Sequence, residues 1–115
     1  MELVAGDSRM SFDSNSRTIH IEGSMRLANA KEYEKVSGFL HDALKPHTNS
    51  IILNVKNLNF LNSSGITALS LFILHCKKQN YPKITIEGKN GISWQAKSLG
   101  NFRKLWSEVD VVLPN

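Results

Sequence analysis

Segments with the two-residue period of a β-strand alternate with segments of helical period along most of this chain. The strand-type segments cover residues 50–56 and 83–87, and the helix-type segments cover residues 29–44, 64–78 and 92–106. Two strands joined through a helix run parallel and are connected by a right-handed crossover. The alternation therefore predicts an α/β fold with a largely parallel sheet.

Two further strand-type segments, residues 9–13 and 18–22, precede the first helix. Each alternates apolar with polar residues, and the turn-forming residues 14–16 separate them. They predict an antiparallel hairpin. A closing strand is expected over residues 109–113. The predicted order is thus an N-terminal β-hairpin followed by βαβαβα units, in a mixed sheet of about four or five strands.

Alternation within the strands predicts where the helices lie. Ile84 and Ile86 alternate with Thr85 and Glu87. A parallel sheet that is covered on both faces has strands that are apolar throughout. We therefore expect the helices to lie mainly on one face of the sheet, with a more solvated face opposite.

The ends of the elements carry recognisable signals. Asn29 with Glu32 three residues later is typical of a helix start, and Pro46 predicts the end of that helix at Lys45. Residues 57–65 predict a loop leading into the second helix. We expect the third helix to be interrupted at Gly100.

The second helix is apolar over most of its circumference. Ile66, Leu69, Phe72, Ile73 and Cys76 form one stripe and Ala68, Leu71 and Leu74 form another. A helix that is apolar nearly all round is usually buried or covered by a partner. The sequence predicts a central position for this helix or a docking surface on it.

Composition limits the class of protein. The 115 residues, 41% apolar and 21% charged, predict one globular domain over residues 1–115. The single cysteine, Cys76, excludes an intrachain disulfide and a multi-cysteine zinc site. No export signal and no apolar stretch of membrane-spanning length is present. We expect a cytoplasmic location and no membrane contact.

No catalytic or metal-binding pattern stands out. His20, His41, His47 and His75 fall in different segments without ligand spacing. Ser64 and His75 share one predicted helix, where eleven residues separate them by about 16 Å, too far for a nucleophile and its base. The sequence predicts neither an enzyme nor a metal or cofactor site.

Residues 51–73 (IILNVKNLNFLNSSGITALSLFI) resemble the signature region of STAS domains, small domains of bacterial anti-sigma-factor antagonists and anion-transporter tails. In that family a hydrophobic strand leads through a short loop to Asp-Ser-Ser-Gly at the start of an apolar helix. Glu22 and Gly23, before the predicted first helix, also resemble the family. The resemblance covers residues 9–113 and implies the STAS fold.

The resemblance also implies a function. In the family, the second serine of the motif accepts a phosphate from a GHKL-type serine kinase that doubles as an anti-sigma factor, and a serine phosphatase removes it. Ser64 is the matching position here. The resemblance thus implies a phosphorylation-switched module in signal transduction and transcription regulation. We expect it to bind its partner through Arg26, Asn62, Ser63, Gly65 and Thr67.

Two positions depart from the family pattern. Asn62 replaces the leading aspartate of the motif, and Arg26 lies in a loop that is often acidic in the anti-sigma antagonists. A stand-alone bacterial subgroup shares Asn-Ser-Ser-Gly-Ile and a later Trp-Gln-x-Lys-Ser-Leu, here residues 94–99. The changed charge favours a different partner.

Three alternatives stay open at this level. Asn62 or Ser63 can simply cap the helix, a contribution of about 1 kcal/mol. A small-molecule, nucleotide or anion sensor can use the same helix N-terminus. Nucleic-acid binding is disfavoured, because the net charge of +4 comes from a basic surplus in residues 77–104 that contains no recognisable reading motif.

Overall fold

The computed structural model describes residues 1–44 and 50–113. Within them the elements follow the order β1 (Glu2–Ala5), β2 (Ser8–Asp13), β3 (Thr18–Met25), α1 (Ala30–Ala43), β4 (Ile51–Asn54), β5 (Leu58–Leu61), α2 (Ser63–Lys78), β6 (Ile84–Glu87), α3 (Ser93–Leu105) and β7 (Val109–Val112). The predicted α/β order is confirmed.

One mixed sheet contains all seven of these strands. Its spatial order is β1-β2-β3-β4-β6-β7, and β5 pairs with β3 off this path. The β1-β2 and β2-β3 pairs are antiparallel, and the remaining pairs are parallel. Strand β3 pairs with β4 over residues 18–20 and with β5 over residues 23–25, and the β3-β5 register shifts between Gly23 and Ser24. Strand β5 therefore lies beside the C-terminal end of β3.

The sheet has more strands than the four or five that the sequence predicts. Strand β1 has only four residues, and its burial pattern shows no fully buried position. Strand β5 lies in the segment predicted as a loop, because its buried residues, Leu58 and Leu61, flank two exposed ones and so lack a two-residue period. Both β1 and β5 are strands because their backbones pair with a neighbouring strand.

Two predicted helix ends differ from the structure or lie outside it. Helix α3 continues through Gly100, since Leu99 and Phe102 on either side are buried in the core. The end of the first helix at Lys45 and Pro46 lies outside the described residues, and α1 has its C-cap at Leu44. Capping of α1 by Asn29 is confirmed, because its side chain accepts from the Glu32 N–H at 2.9 Å.

The strands bury one face and leave the other partly solvated. Ile19, Leu53 and Ile86 are paired neighbours across β3, β4 and β6, and all three are buried. The next row, His20, Asn54 and Glu87, is only partly buried. Helix α2 packs against both α1 and α3. The predicted arrangement, with helices mainly on one face, is confirmed.

None of the helices in the described part of the chain is long and apolar enough to cross a membrane.

Candidate functional site

Asn62 joins the start of α2 to the loop between β3 and α1. Its Oδ1 accepts from the Gly65 N–H at 3.0 Å, which caps α2, and from the Leu27 N–H at 3.3 Å. Its Nδ2 donates to the Leu27 carbonyl at 3.2 Å. A carboxylate has no hydrogen to donate to that carbonyl. The amide therefore suits this position for a reason that the motif alone does not show.

Gly65 lets the first turn of α2 approach β5. A Cβ at this position would overlap the Leu61 side chain, and Gly65 is buried. The sequence assigns Gly65 to a partner-binding surface. In the structure it contributes through close packing and through its N–H to Asn62, and the exposed surface comes from its neighbours.

Ser63, Ser64 and Thr67 are exposed on the first turns of α2. The Thr67 hydroxyl donates to the Ser63 carbonyl at 3.0 Å. The Ser64 hydroxyl has no hydrogen-bond partner within residues 1–44 and 50–113. Of the Ser64 and Thr67 hydroxyls, the one on Ser64 is thus free to react or to bind.

An open pocket of about 360 Å³ lies beside Ser64. It is formed by Leu27, Ala28, Asn29, Ala30 and Tyr33 with Ser64 itself. The N-termini of α1 and α2 both border this pocket, because Asn29 and Ala30 at the start of α1 and Ser64 at the start of α2 line it. Helix N-termini carry a partial positive charge and favour anions. The surroundings of Ser64 are therefore electrostatically compatible with added negative charge.

Arg26 contacts β5 at the same end of the sheet. Its guanidinium carbon lies 4.4 Å from the centre of the Phe60 ring, a cation–π contact, and both residues are exposed. The sequence assigns Arg26 to the partner surface but does not single out Phe60. The available signal was an aromatic residue in a segment, residues 57–62, in which all the other residues are asparagine or leucine.

An exposed stripe runs along α2 from this site. It consists of Ser64, Thr67, Leu71, Leu74 and Lys78, all exposed. Leu71 and Leu74 keep 52% and 39% of their surfaces accessible. The α2 stripe, defined by these five residues, joins the Ser64 region to an apolar patch.

Cys76 and His75 provide no reactive site near Ser64. Burial raises the pKa of the Cys76 thiol to about 12, and the side chain is buried. The His75 ring lies 4.5 Å from that of His41 on α1. No group of three or more metal-binding side chains occurs in residues 1–44 and 50–113.

No family model and no curated protein matches the chain. Solved structures do match. The crystal structure of apo-SiaC from Pseudomonas aeruginosa matches with a TM-score of 0.72 at 13% identity, over 100% of this chain and 98% of SiaC. The fold that this chain shares with SiaC is STAS-like. The match to the structure of the diguanylate cyclase SiaD in complex with its activator SiaC, from the same organism, also has a TM-score of 0.72, at 15% identity over 99% of both chains.

The likeness to SiaC concerns the fold. The candidate site is described from contacts within this chain. The sequence predicts Asn62, Ser64 and Arg26 as site residues but does not single out Leu27, which binds the Asn62 amide, or Tyr33, which lines the pocket. Both lie more than 25 residues away from Asn62 in sequence. Only the folded chain brings these residues together.

Proposed function

We propose that this chain is a non-enzymatic regulatory module that binds a protein partner. The binding surface comprises Asn62 and Ser63 at the start of α2, the α2 stripe and Arg26. The observation that carries the proposal is the exposure of Leu71 and Leu74 on the helix that begins at Ser64. The STAS-like fold supports it, since SiaC, of similar fold, is an activator that forms a complex with a diguanylate cyclase.

Two observations bear on the class of partner, and each favours a different class. The likeness to SiaC supports a signalling enzyme that this chain activates by binding. The motif resemblance supports a GHKL-type serine kinase that acts as an anti-sigma factor, opposed by a serine phosphatase. In both cases the chain is the regulated binding component and the partner carries the activity.

Phosphorylation of Ser64 is the proposed switch. The hydroxyl is exposed and unbonded, and residues 57–76 carry no formal charge. A phosphate adds about −1.5 to −2 charges to this neutral surface. Two unit charges about 4 Å apart at a protein surface interact by about 4 kcal/mol before screening. Since about 1.4 kcal/mol changes an affinity tenfold, one phosphate suffices to reverse partner choice.

The test of the switch compares capture of partners from lysate. Wild type, Ser64→Ala and Ser64→Asp serve as baits, with Ser63→Ala and Ser63→Asp as matched controls on the adjacent exposed serine. We expect the partner set to change with Ser64→Asp and to stay unchanged with both Ser63 variants. Intact-mass measurement of protein from its native cells should show an added phosphate. Equal partner occupancy for all Ser64 baits contradicts the switch.

The binding surface is tested separately. Leu71→Lys with Leu74→Lys should abolish capture of the partner, because two charges replace the apolar patch. Val4→Lys is the matched control, since Val4 is exposed to 64% on β1, away from α2. If the double variant captures the partner as well as the control does, the α2 stripe is not the interface.

A second candidate function is sensing of a small anion or nucleotide at the α2 N-terminus. The pocket of about 360 Å³ that includes Ser64 favours it. This function predicts a rise in thermal stability with ligand, about 2.7 kcal/mol at a hundredfold excess over the dissociation constant. A flat response across nucleotides and phosphorylated metabolites contradicts it.

A further inference from the structure

We propose that a second pocket, between β5, α2 and α3, binds a small organic carboxylate with an apolar body. This α3 pocket has a volume of about 260 Å³, and its lining includes Phe60, Ile66, Trp94, Lys97 and Ser98. It is distinct from the pocket at Ser64 and does not rest on the proposed function. Sites at the carboxyl ends of parallel strands commonly bind ligands.

Ser98 points to a ligand with a hydrogen-bonding group. Its side chain lines the pocket and is only 7% exposed, yet it makes no hydrogen bond in the described part of the chain. Helical hydroxyls commonly donate to the carbonyl four residues earlier. Ser70 does so to Ile66 at 2.8 Å, and Thr67 to Ser63 at 3.0 Å. Ser98 instead presents an unpaired hydroxyl inside an accessible pocket.

The charge around the α3 pocket favours an anion. Helix α3 begins here, and its N-cap residue, Ile92, provides no side-chain cap. An uncapped N-terminus leaves N–H groups free to bind a carboxylate. Lys97 lines the pocket, and Arg26 lies over the Phe60 ring at 4.4 Å. Among the residues that the structure describes, no acidic one belongs to the lining.

The apolar side chains that line the α3 pocket favour a ligand whose body, apart from the carboxylate, is apolar. Phe60, Leu61, Ile66 and Trp94 supply the apolar part of the lining. Trp94 is held in place, because its Nε1–H donates to the Leu58 carbonyl at 2.7 Å. The volume lies just below the range of about 300–1,000 Å³ that holds drug-sized ligands. A single ring or short chain bearing one carboxylate fits these limits.

Benzoate is the probe that tests the carboxylate, and benzamide is its neutral counterpart of similar shape. We expect benzoate to shift the amide signals of residues 93–98 and the Trp94 indole signal in ¹H–¹⁵N NMR titrations. Its dissociation constant should be at least tenfold lower than that of benzamide. Equal affinities, no shift with benzoate, or shifts confined to the Ser64 pocket overturn the proposal.

Variants of two lining residues on α3 test whether those residues contact the ligand. Lys97→Met and Ser98→Ala should each weaken benzoate binding about fivefold, the effect of one lost polar contact. Lys104→Met is the matched control, since Lys104 is exposed on the same helix but does not line the pocket. Unchanged affinity in both test variants contradicts the proposal. Ser98→Ala should leave thermal stability undiminished, because its hydroxyl bonds nothing in the unliganded protein.

Discussion

Asparagine caps both α1 and α2, and the two asparagine side chains differ in how many hydrogen bonds they make. Asn29 accepts one hydrogen bond, from the Glu32 N–H, at an exposed position. Asn62 accepts from Gly65 and also exchanges two hydrogen bonds with the Leu27 backbone. The sequence predicts both residues as caps. Through its bonds to Leu27, Asn62 also links α2 to the loop that precedes α1.

The comparison of these caps gives the first prediction. Asn29→Ala should lower the free energy of unfolding by about 1 kcal/mol, the usual loss for a cap. Asn62→Ala should lower it by about 2–3 kcal/mol, because two further hydrogen bonds of about 1 kcal/mol each are lost. Urea unfolding followed by circular dichroism measures both. Equal losses would show that the Leu27 bonds contribute nothing.

Burial makes the Cys76 thiol unreactive in the native protein. With its pKa raised by burial to about 12, only about one thiol in ten thousand is ionised at pH 8. A thiol-specific reagent should therefore modify the native protein very slowly and the urea-unfolded protein at once. Absorbance of the released chromophore measures both rates. Rapid stoichiometric labelling of the native protein would contradict the buried assignment.

Two glycines within helices have opposite roles at the scale of elements. A methyl group at Gly65 would overlap Leu61 of β5, whereas one at Gly100 in α3 meets nothing within 4 Å. Gly65→Ala should destabilise the protein by about 1–3 kcal/mol through overpacking. Gly100→Ala should stabilise it by about 0.5–1 kcal/mol, because alanine favours the helix.

Thermal denaturation with both variants measures this difference. Because the substitution is chemically the same, the contrast isolates the contact between α2 and β5. A Gly65→Ala protein as stable as wild type would show that Leu61 moves aside without cost. That result would also remove the packing explanation for the glycine of the Asn-Ser-Ser-Gly motif.

Elements with strong periodicity could be predicted from the sequence, and β5 could not. Helix α2 was expected over residues 64–78 and spans Ser63–Lys78. Strand β5 forms because the backbone of residues 58–61 pairs with the C-terminal end of β3, residues 23–25. Such pairing depends on a strand distant in sequence, so local alternation contains no signal for it.

The packing of α1 on α2 couples stability to pH at the scale of the whole molecule. Burial lowers the pKa of His75, and the charges of His41 and Lys78 lower it further. The unfolded chain, with an ordinary histidine pKa of about 6.5, then takes up a proton before the native protein does. Stability is fully present above about pH 6.5 and falls as the pH drops through the folded-state pKa.

The test compares His75→Gln with wild type in urea unfolding between about pH 7.5 and pH 5. We expect a smaller loss of stability on acidification in the variant. His20→Gln, a substitution on the open face of the sheet, should retain the loss seen in wild type. An identical pH dependence in wild type and His75→Gln would exclude His75 as its source.

Local periodicity and the chemistry of single residues predict the α/β class, the helices on one sheet face, the cap at Asn29 and the place of Ser64 at the start of α2. The β5 pairing, the hydrogen bonds of Asn62 to Leu27, the burial of Gly65 and the α3 pocket arise only in the folded chain. Each depends on residues distant in sequence that meet only when the sheet assembles, which no local pattern encodes.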